Sequence, residues 1–254
     1  MTDPCAALAE SLGEPVTLDP IAGGWSIFQL KRGHRFSTDD LLVAWIAMEE
    51  RPQARRLLDI GAGMGSVGLM TLHAMPADAH LTMVEVQELS HRQARATIAH
   101  NGLSERVTPI LSDLRAVTLP QRAFDLVTGS PPYIPVGRGV ISPHPQRAGA
   151  RMELRGDVFD YCRTAAKALA ADGVFCFCHA AGDERPEPAV AAAGLTLRCR
   201  QDVVFRRGRA PTIALFVAGW GGERADRAPL VVREADGAWT EAYRTLRARM
   251  GFDA

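Results

Sequence analysis

The chain has no net charge, its 29 Lys and Arg residues being balanced by 29 Asp and Glu over 254 residues. A global surplus of one sign, of the kind that advertises a polyanion or an anionic lipid surface, is therefore missing. Cysteines are few and odd in number, at 5, 162, 176, 178 and 199. They form neither a disulfide framework nor a zinc-ligand spacing, so no metal is expected and a reducing cytoplasm is the expected setting. No apolar stretch reaches membrane-spanning length, so no membrane partner is expected. The opening "MTDPCAALAESLGEP" carries acids where a secretory leader needs a basic patch and an apolar run. There is no internal repeat and no low-complexity segment, which excludes solenoid and fibrous architectures.

What is present is a 47% apolar chain with a regular alternation of segments, enough for one sizeable domain with additions. The runs "RLLDI", "HLTMVEV", "VTPILSD", "FDLVTGS" and "GVFCFCH" are nearly continuous apolar strands, as expected where both sheet faces are covered. Cys176 and Cys178 alternate with Phe175 and Phe177 there, which predicts small buried filler on one strand face. Helix-like stretches separate the strands, among them "ELSHRQARATIAHNG" and "DVFDYCRTAAKALAADG", both expected to stop at their glycines. "LTLRCRQDVVF" and "PTIALFVAGW" then predict a closing antiparallel pair. Ahead of the sheet lie a hairpin turning at Ala22-Gly23-Gly24 and a helix capped by Ser37 or Thr38, with Asp39 and Asp40 at its positive end. The expectation is an α/β, Rossmann-like, mostly parallel sheet over 53–221, with an N-terminal hairpin and helix extension over 1–52 and a C-terminal strand and helix over 222–254.

"LLDIGAGMGSVGL" joins the first strand to the first helix and reads in two registers. Gly63, Gly65 and Gly68 spell G-x-G-x-x-G, with Glu85 twenty residues after Gly65, as a nicotinamide-dependent oxidoreductase would have it. Asp59, Gly61, Gly63 and Gly65 instead resemble the S-adenosylmethionine loop of class I methyltransferases. Glu85, at the next strand end, suits a pair of ribose hydroxyls because a carboxylate offers two oxygens. Asp113 offers an acceptor for an adenine amino group, with Leu114 to cover the purine face. A plain turn cap remains the other reading of Asp113.

The fourth strand ends in "GSPPYIP". This resembles the motif of methyltransferases that act on exocyclic nitrogens, where Asn, Asp or Ser precedes Pro-Pro and an aromatic residue. An aryl or amide nitrogen delocalises its lone pair, so acceptors aimed at its N–H groups are needed to turn that pair toward a methyl donor. The resemblance implies that the Ser130 hydroxyl and the Pro131 carbonyl are those acceptors, that Pro132 stiffens the turn, and that Tyr133 stacks on the substrate ring.

Over most of its length the chain is similar to the bacterial tRNA adenine-N6 methyltransferases. "KRGHRFSTDDLLVAWIA", "QRAGARMEL" and "PLVVREADGAWTEAYRTLRARM" carry the looser flanking matches. The resemblance implies S-adenosyl-L-methionine as cofactor and tRNA as partner. Ser130 departs from it, since the family has Asn there, so cytosine N4, guanine N2, a glutamine amide or a small molecule stays open as acceptor, as does a non-catalytic RNA-binding role. Charge is uneven: 18 basic and 14 acidic residues follow Ser130, and Arg198 to Arg209 holds five arginines against one aspartate. The segments 138–155 and 198–209 are therefore the expected RNA contacts, the latter being equally readable as a solvated strand and loop. His34, Arg35 and Phe36 are candidates for the substrate mouth, Phe36 reading more readily as core and the two basic residues as exposed surface.

Overall fold

The structure, a computed structural model, describes residues 3–252. Helix α1 (Pro4–Leu12) precedes the hairpin β1 (Val16–Pro20) and β2 (Ser26–Leu30), and α2 (Thr38–Glu50) follows. The alternating region is β3 (Arg56–Ile60), α3 (Ser66–His73), β4 (His80–Glu85), α4 (Glu88–His100), β5 (Val107–Leu111) and β6 (Phe124–Gly129). It continues with α5 (Pro145–Arg151), α6 (Val158–Ala168), β7 (Leu169–Ala180), α7 (Pro186–Ala192), β8 (Thr196–Val204) and β9 (Ile213–Gly219). Strand β10 (Leu230–Val231) and helix α8 (Glu241–Arg249) close the chain.

Eight strands form one sheet in the order β10-β8-β9-β7-β6-β3-β4-β5, with β9 antiparallel to both neighbours and the remaining pairs parallel. The period-2 pattern of the strands explains the two layers on it. Leu57, Leu126, Cys176 and Cys178 face a core shared with α2 and α3, whereas Leu58, Val127, Phe175 and Phe177 face α6 and α7. The cysteines are fully buried filler, as the alternation predicts. From β3 the chain moves outward through β4 and β5, then returns to place β6 on β3's other side. That reversal opens a crevice beyond the carboxyl ends of β3 and β6, where such sheets bind ligands.

The hairpin and α2 form as the sequence predicts, and Ser37 N–H donates to the Asp40 carboxylate in the first turn of α2 (3.0 Å). The hairpin is held on α4, Phe28 N–H donating to Thr97 Oγ1 (3.1 Å) and Ser26 N–H to Asn101 Oδ1 (2.9 Å). Helix α4 stops before Gly102, a left-handed residue at φ 67°, as expected. Helix α6 does not run to Gly173. It ends at Ala168, and Gly173 lies inside β7, where a Cβ would sit 2.8 Å from the Phe124 carbonyl oxygen. The glycine permits close strand approach beside a register shift rather than capping a helix. Helices α1, α5 and α7 carry no expectation from the sequence.

Candidate active site

Three glycines of the β3–α3 loop take left-handed backbone that a side chain disfavours: Gly61 (φ 66°), Gly63 (φ 58°) and Gly65 (φ 96°). Asp59 braces this loop from beneath. Its Oδ2 accepts from Gly68 N–H at 2.9 Å and its Oδ1 from the Thr128 hydroxyl at 2.8 Å, tying the start of α3 to β6. Gly68 is needed for that approach, because a Cβ there would lie 2.9 Å from Asp59 Oδ2. Both registers of the glycine pattern thus describe one loop, one through backbone conformation and the other through helix packing.

Glu85 ends β4 and turns into the same space. Its Oε2 accepts from Gly63 N–H (2.8 Å) and its Oε1 from Gln87 N–H (2.6 Å), leaving a second lone pair on each oxygen. A cavity of about 420 Å³ opens in front of it. Asp59, Gly61, Gly63, Glu85, Leu114 and all of Ser130, Pro131, Pro132 and Tyr133 line it. Two residues predicted for the cofactor are outside its wall. Gly65 packs against Met83, and the Asp113 carboxylate, which Arg115 holds below the ordinary range through a two-toothed contact, stays in its own turn while Ser112 and Leu114 reach the cavity.

The motif after β6 is fixed by β7 and α2. Ser130 Oγ lies 3.2 Å from the Cys178 sulfur, continuing the strand register that pairs Gly129 with Phe177. The Tyr133 hydroxyl donates to Asp39 Oδ2 (3.2 Å), and its ring meets that of His179 edge-on at 5.6 Å. Beyond it, Ile134 bridges to Met152 at the end of α5, bringing Arg147, Arg151 and Arg155 to the cavity rim. His34 is at the mouth, with burial and the neighbouring Arg151 and Arg147 cations holding its imidazole down at about 4. Arg35 is also there, turned toward Asp19 and Thr17, and Phe36 packs on the core.

Sequence reasoning gives no site role to Asp39, Asp40, Tyr161 or Gln146, all of which line the cavity. Asp40, fully buried, bonds to Ser37 N–H and to the Ser66 hydroxyl (3.2 Å), and burial lifts its carboxyl to about 7. Asp59 is lifted to about 7 by the same cause, and burial also raises Glu85 and Asp39. Four carboxylates forced together around one cavity favour a cationic occupant, which would relieve their desolvation. The Asp39-Asp40 doublet is readable in the sequence, but only the fold shows that it points away from solvent. Tyr161 comes from α6, and its hydroxyl covers Gly61 so closely that a Cβ there would lie 1.8 Å from it.

These residues fit S-adenosylmethionine, an adenosine carrying a charged sulfonium and an amino acid. Glu85 would present paired acceptors to a ribose diol, Leu114 an apolar wall to a purine, and Asp40, Asp59 and Asp39 carboxyls to the cationic part.

Comparison with known proteins agrees. The profile of the Methyltransferase small domain matches residues 37–141. A tRNA1(Val) (adenine(37)-N6)-methyltransferase of Aeromonas hydrophila is 31% identical over 211 residues, covering 82% of this chain and 86% of its own. One of the same name from Citrobacter koseri is 31% identical over 218 residues, covering 84% and 86%. Among solved structures, a predicted O-methyltransferase of Agrobacterium tumefaciens superposes with a TM-score of 0.63 at 21% identity, covering 85% of this chain and 98% of its own. A putative RNA methyltransferase of Pyrococcus horikoshii gives 0.52 at 15%, covering 86% and 97%. The latter two speak for the fold. The sequence relatives and the family profile remove the oxidoreductase alternative, and the chain belongs to the tRNA1(Val) (adenine(37)-N6)-methyltransferase family and is an S-adenosyl-L-methionine-dependent methyltransferase.

Proposed function

We propose that this protein methylates the exocyclic N6 of an adenine in tRNA. The observation that carries the reading is the convergence of the Glu85 and glycine-loop wall with Ser130–Tyr133 on one cavity, so that donor and acceptor share a single space. Gly61, Gly63, Glu85 and Leu114 hold the cofactor, with Asp59 acting through the loop it braces. Gly65 contributes by shaping the loop, and Asp113 by shaping the turn that presents Ser112 and Leu114. S-adenosylmethionine supplies a methyl group on a positively charged sulfur. The Ser130 hydroxyl and the Pro131 carbonyl accept the two amino N–H groups and turn the nitrogen lone pair toward the donor. Tyr133, held at its hydroxyl by Asp39 and at its ring by His179, presents a flat face to the base, and stacking of this kind is worth about 1–3 kcal/mol. Two prolines keep these groups in place before substrate arrives, which saves ordering entropy on binding.

Arg147, Arg151 and Arg155 at the rim take the phosphates flanking the target. The second basic segment has a different character. Arg200 and Arg207 are ion-paired and Arg198 is spent on backbone carbonyls, so that Arg206 and Arg209, in the exposed loop beside the carboxyl end of β7, are its part of the RNA surface. The protein works in the cytoplasm, where its substrate is.

Incubation with labelled S-adenosylmethionine and separate pools of tRNA, ribosomal RNA and DNA tests the reading. Label in tRNA that digests to N6-methyladenosine is the expected result. Label recovered as N4-methylcytosine, or absent from every nucleic acid, refutes it.

A further inference from the structure

Large apolar side chains are rarely left in water here, and where they are, they gather. Among the described residues the exposed ones are Leu111, Val136, Val140, Ile141 and Leu154, and all but Leu111 lie between the Ser130–Tyr133 motif and α6. Val140 is 97% exposed, Val136 61% and Ile141 57%. The segment that carries them leaves the cavity wall at Ile134 and returns to it at Gln146. Its base is fastened: Ile134 bridges to Met152, Arg138 N–H donates to the Pro135 carbonyl (3.0 Å), and His144 contacts Glu14 (2.8 Å). Gly137 (φ 87°) and Gly139 (φ 95°) bend the tip outward. The flanking cations are Arg138 in the loop and Arg147, Arg151 and Arg155 beside it, none with an ion-pair partner among the described residues.

Apolar points on a fastened loop, ringed by arginines that no carboxylate pairs and opening onto the cavity that holds Ser130–Tyr133, suit a polyanion whose bases can be pulled apart. An apolar wedge between bases offsets the stacking lost when a nucleotide is turned out into an enzyme's pocket. An apolar protein surface would leave this excess of positive charge beside the loop unexplained.

We propose that Val136–Ile141 is a wedge that enters an RNA loop beside the target nucleotide and occupies the place its base vacates. This rests on the reading that the acceptor is a base in RNA. The test compares wild type with V140S/I141S on two substrates, a stem-loop whose target adenine is stacked in the loop and an unstructured heptamer of the same central sequence. Both side chains are exposed, so the variant keeps the wild-type melting temperature and cofactor affinity. The expected result is a roughly tenfold to hundredfold lower kcat/KM on the stem-loop, from the size of a stacking contact, and under threefold on the heptamer. A 2-aminopurine placed next to the target brightens on binding wild type and not on binding the variant. Equal losses on both substrates, an unchanged rate on the stem-loop, or persistence of the fluorescence change overturns the wedge while leaving the RNA reading standing. If wild type methylates neither RNA, the RNA reading itself falls and the wedge with it.

Discussion

Gly61 is the position where cofactor loop and core collide most directly, so its replacement by alanine separates two physical costs. The first is backbone strain: at φ 66° an alanine loses about 1–2 kcal/mol relative to a comfortable conformation. The second is overlap, because the new methyl would lie 1.8 Å from Tyr161 Oη, 2.7 Å from Cζ and 3.1 Å from Cε1. Tyr161 is 5% exposed and packed with Leu58, Ile60 and Phe177, so it has nowhere to swing, and overpacking of this kind costs about 1–3 kcal/mol. Gly61→Ala should therefore destabilise by about 2–5 kcal/mol, or about 4–20 °C in a chain of this size. Gly63→Ala is the internal control. Its φ is also positive, but a Cβ there meets nothing within 4 Å, so only the strain cost of about 1–2 kcal/mol applies. Tyr161→Phe should rescue Gly61→Ala in part, since the hydroxyl makes the shortest contact, and should not rescue Gly63→Ala. Urea unfolding of the five proteins measures these differences. Equal destabilisation of the two alanine variants, or no rescue by phenylalanine, refutes the collision argument.

Burial lifts Asp59 from 3.8 to about 7, so the folded chain keeps a proton that the unfolded chain releases above pH ~4. Stability from this group is greatest in acid and falls as the pH rises from about 4 through about 7. Asp59→Asn keeps both contacts, by accepting from Gly68 N–H and donating to the Thr128 hydroxyl, and should flatten that part of the profile; Asp40, titrating in the same range, retains some slope. Denaturation midpoints measured from pH 4 to 8 that run parallel in the two proteins would contradict this. The same carboxylates make S-adenosylmethionine binding tighter from pH 6 to 8, with protons released, and calorimetry in buffers of different ionisation heat should show less release for the uncharged thioether product. Equal release for both would show that the acidic cluster does not sense the sulfonium. Burial keeps the Cys178 thiol protonated and in contact with Ser130, so Cys178→Ala should lower turnover about fivefold, the worth of one hydrogen bond of about 1 kcal/mol. The double variant with Ser130→Ala should be no slower than Ser130→Ala alone; additive losses would mean that Cys178 acts by another route.

The strands around the site are legible because each is an apolar run closed by a residue with a special backbone or charge, as in "RLLDIGAG" and "FDLVTGSPPY". The loop and motif follow from local chemistry and emerge where strand order puts them. Contacts that depend on three-dimensional packing are not legible. Tyr161 reaches Gly61 only because α6 crosses beneath β3 and β6, a hundred residues later in the chain. Asp113 looks like a site carboxylate by its position at a strand end, and whether it turns into the cavity or toward Arg115 is decided by the turn that follows. Gly173 reads as a helix stop until the Phe124 carbonyl on the neighbouring strand is seen against it. For α1 the signals were present and local: Asp3 accepts from Cys5 N–H, Pro4 occupies the first turn, and Gly13 closes the helix at φ 72°.

The zero net charge does not argue against a polyanionic substrate once the partners of each arginine are known. Arg56, Arg163, Arg185, Arg200, Arg207, Arg224, Arg227 and Arg249 sit on carboxylates and project little field beyond them. Charges act over roughly 8 Å at physiological ionic strength, so what a phosphate meets is the local composition of the mouth and not the sum over the chain. At that mouth the two signs are separated by depth. Asp40, Asp59 and Glu85 are buried on the cavity side and Asp39 is partly buried beside them, all with their carboxyls raised toward the neutral form, while Arg147, Arg151 and Arg155 stand at the rim. A cationic donor below and a polyanionic acceptor above would each find the complementary sign, and the acidic floor, being partly protonated, would subtract little from the rim's attraction. Neutrality of the whole is then compatible with a crevice that houses both charges of a methyl-transfer reaction.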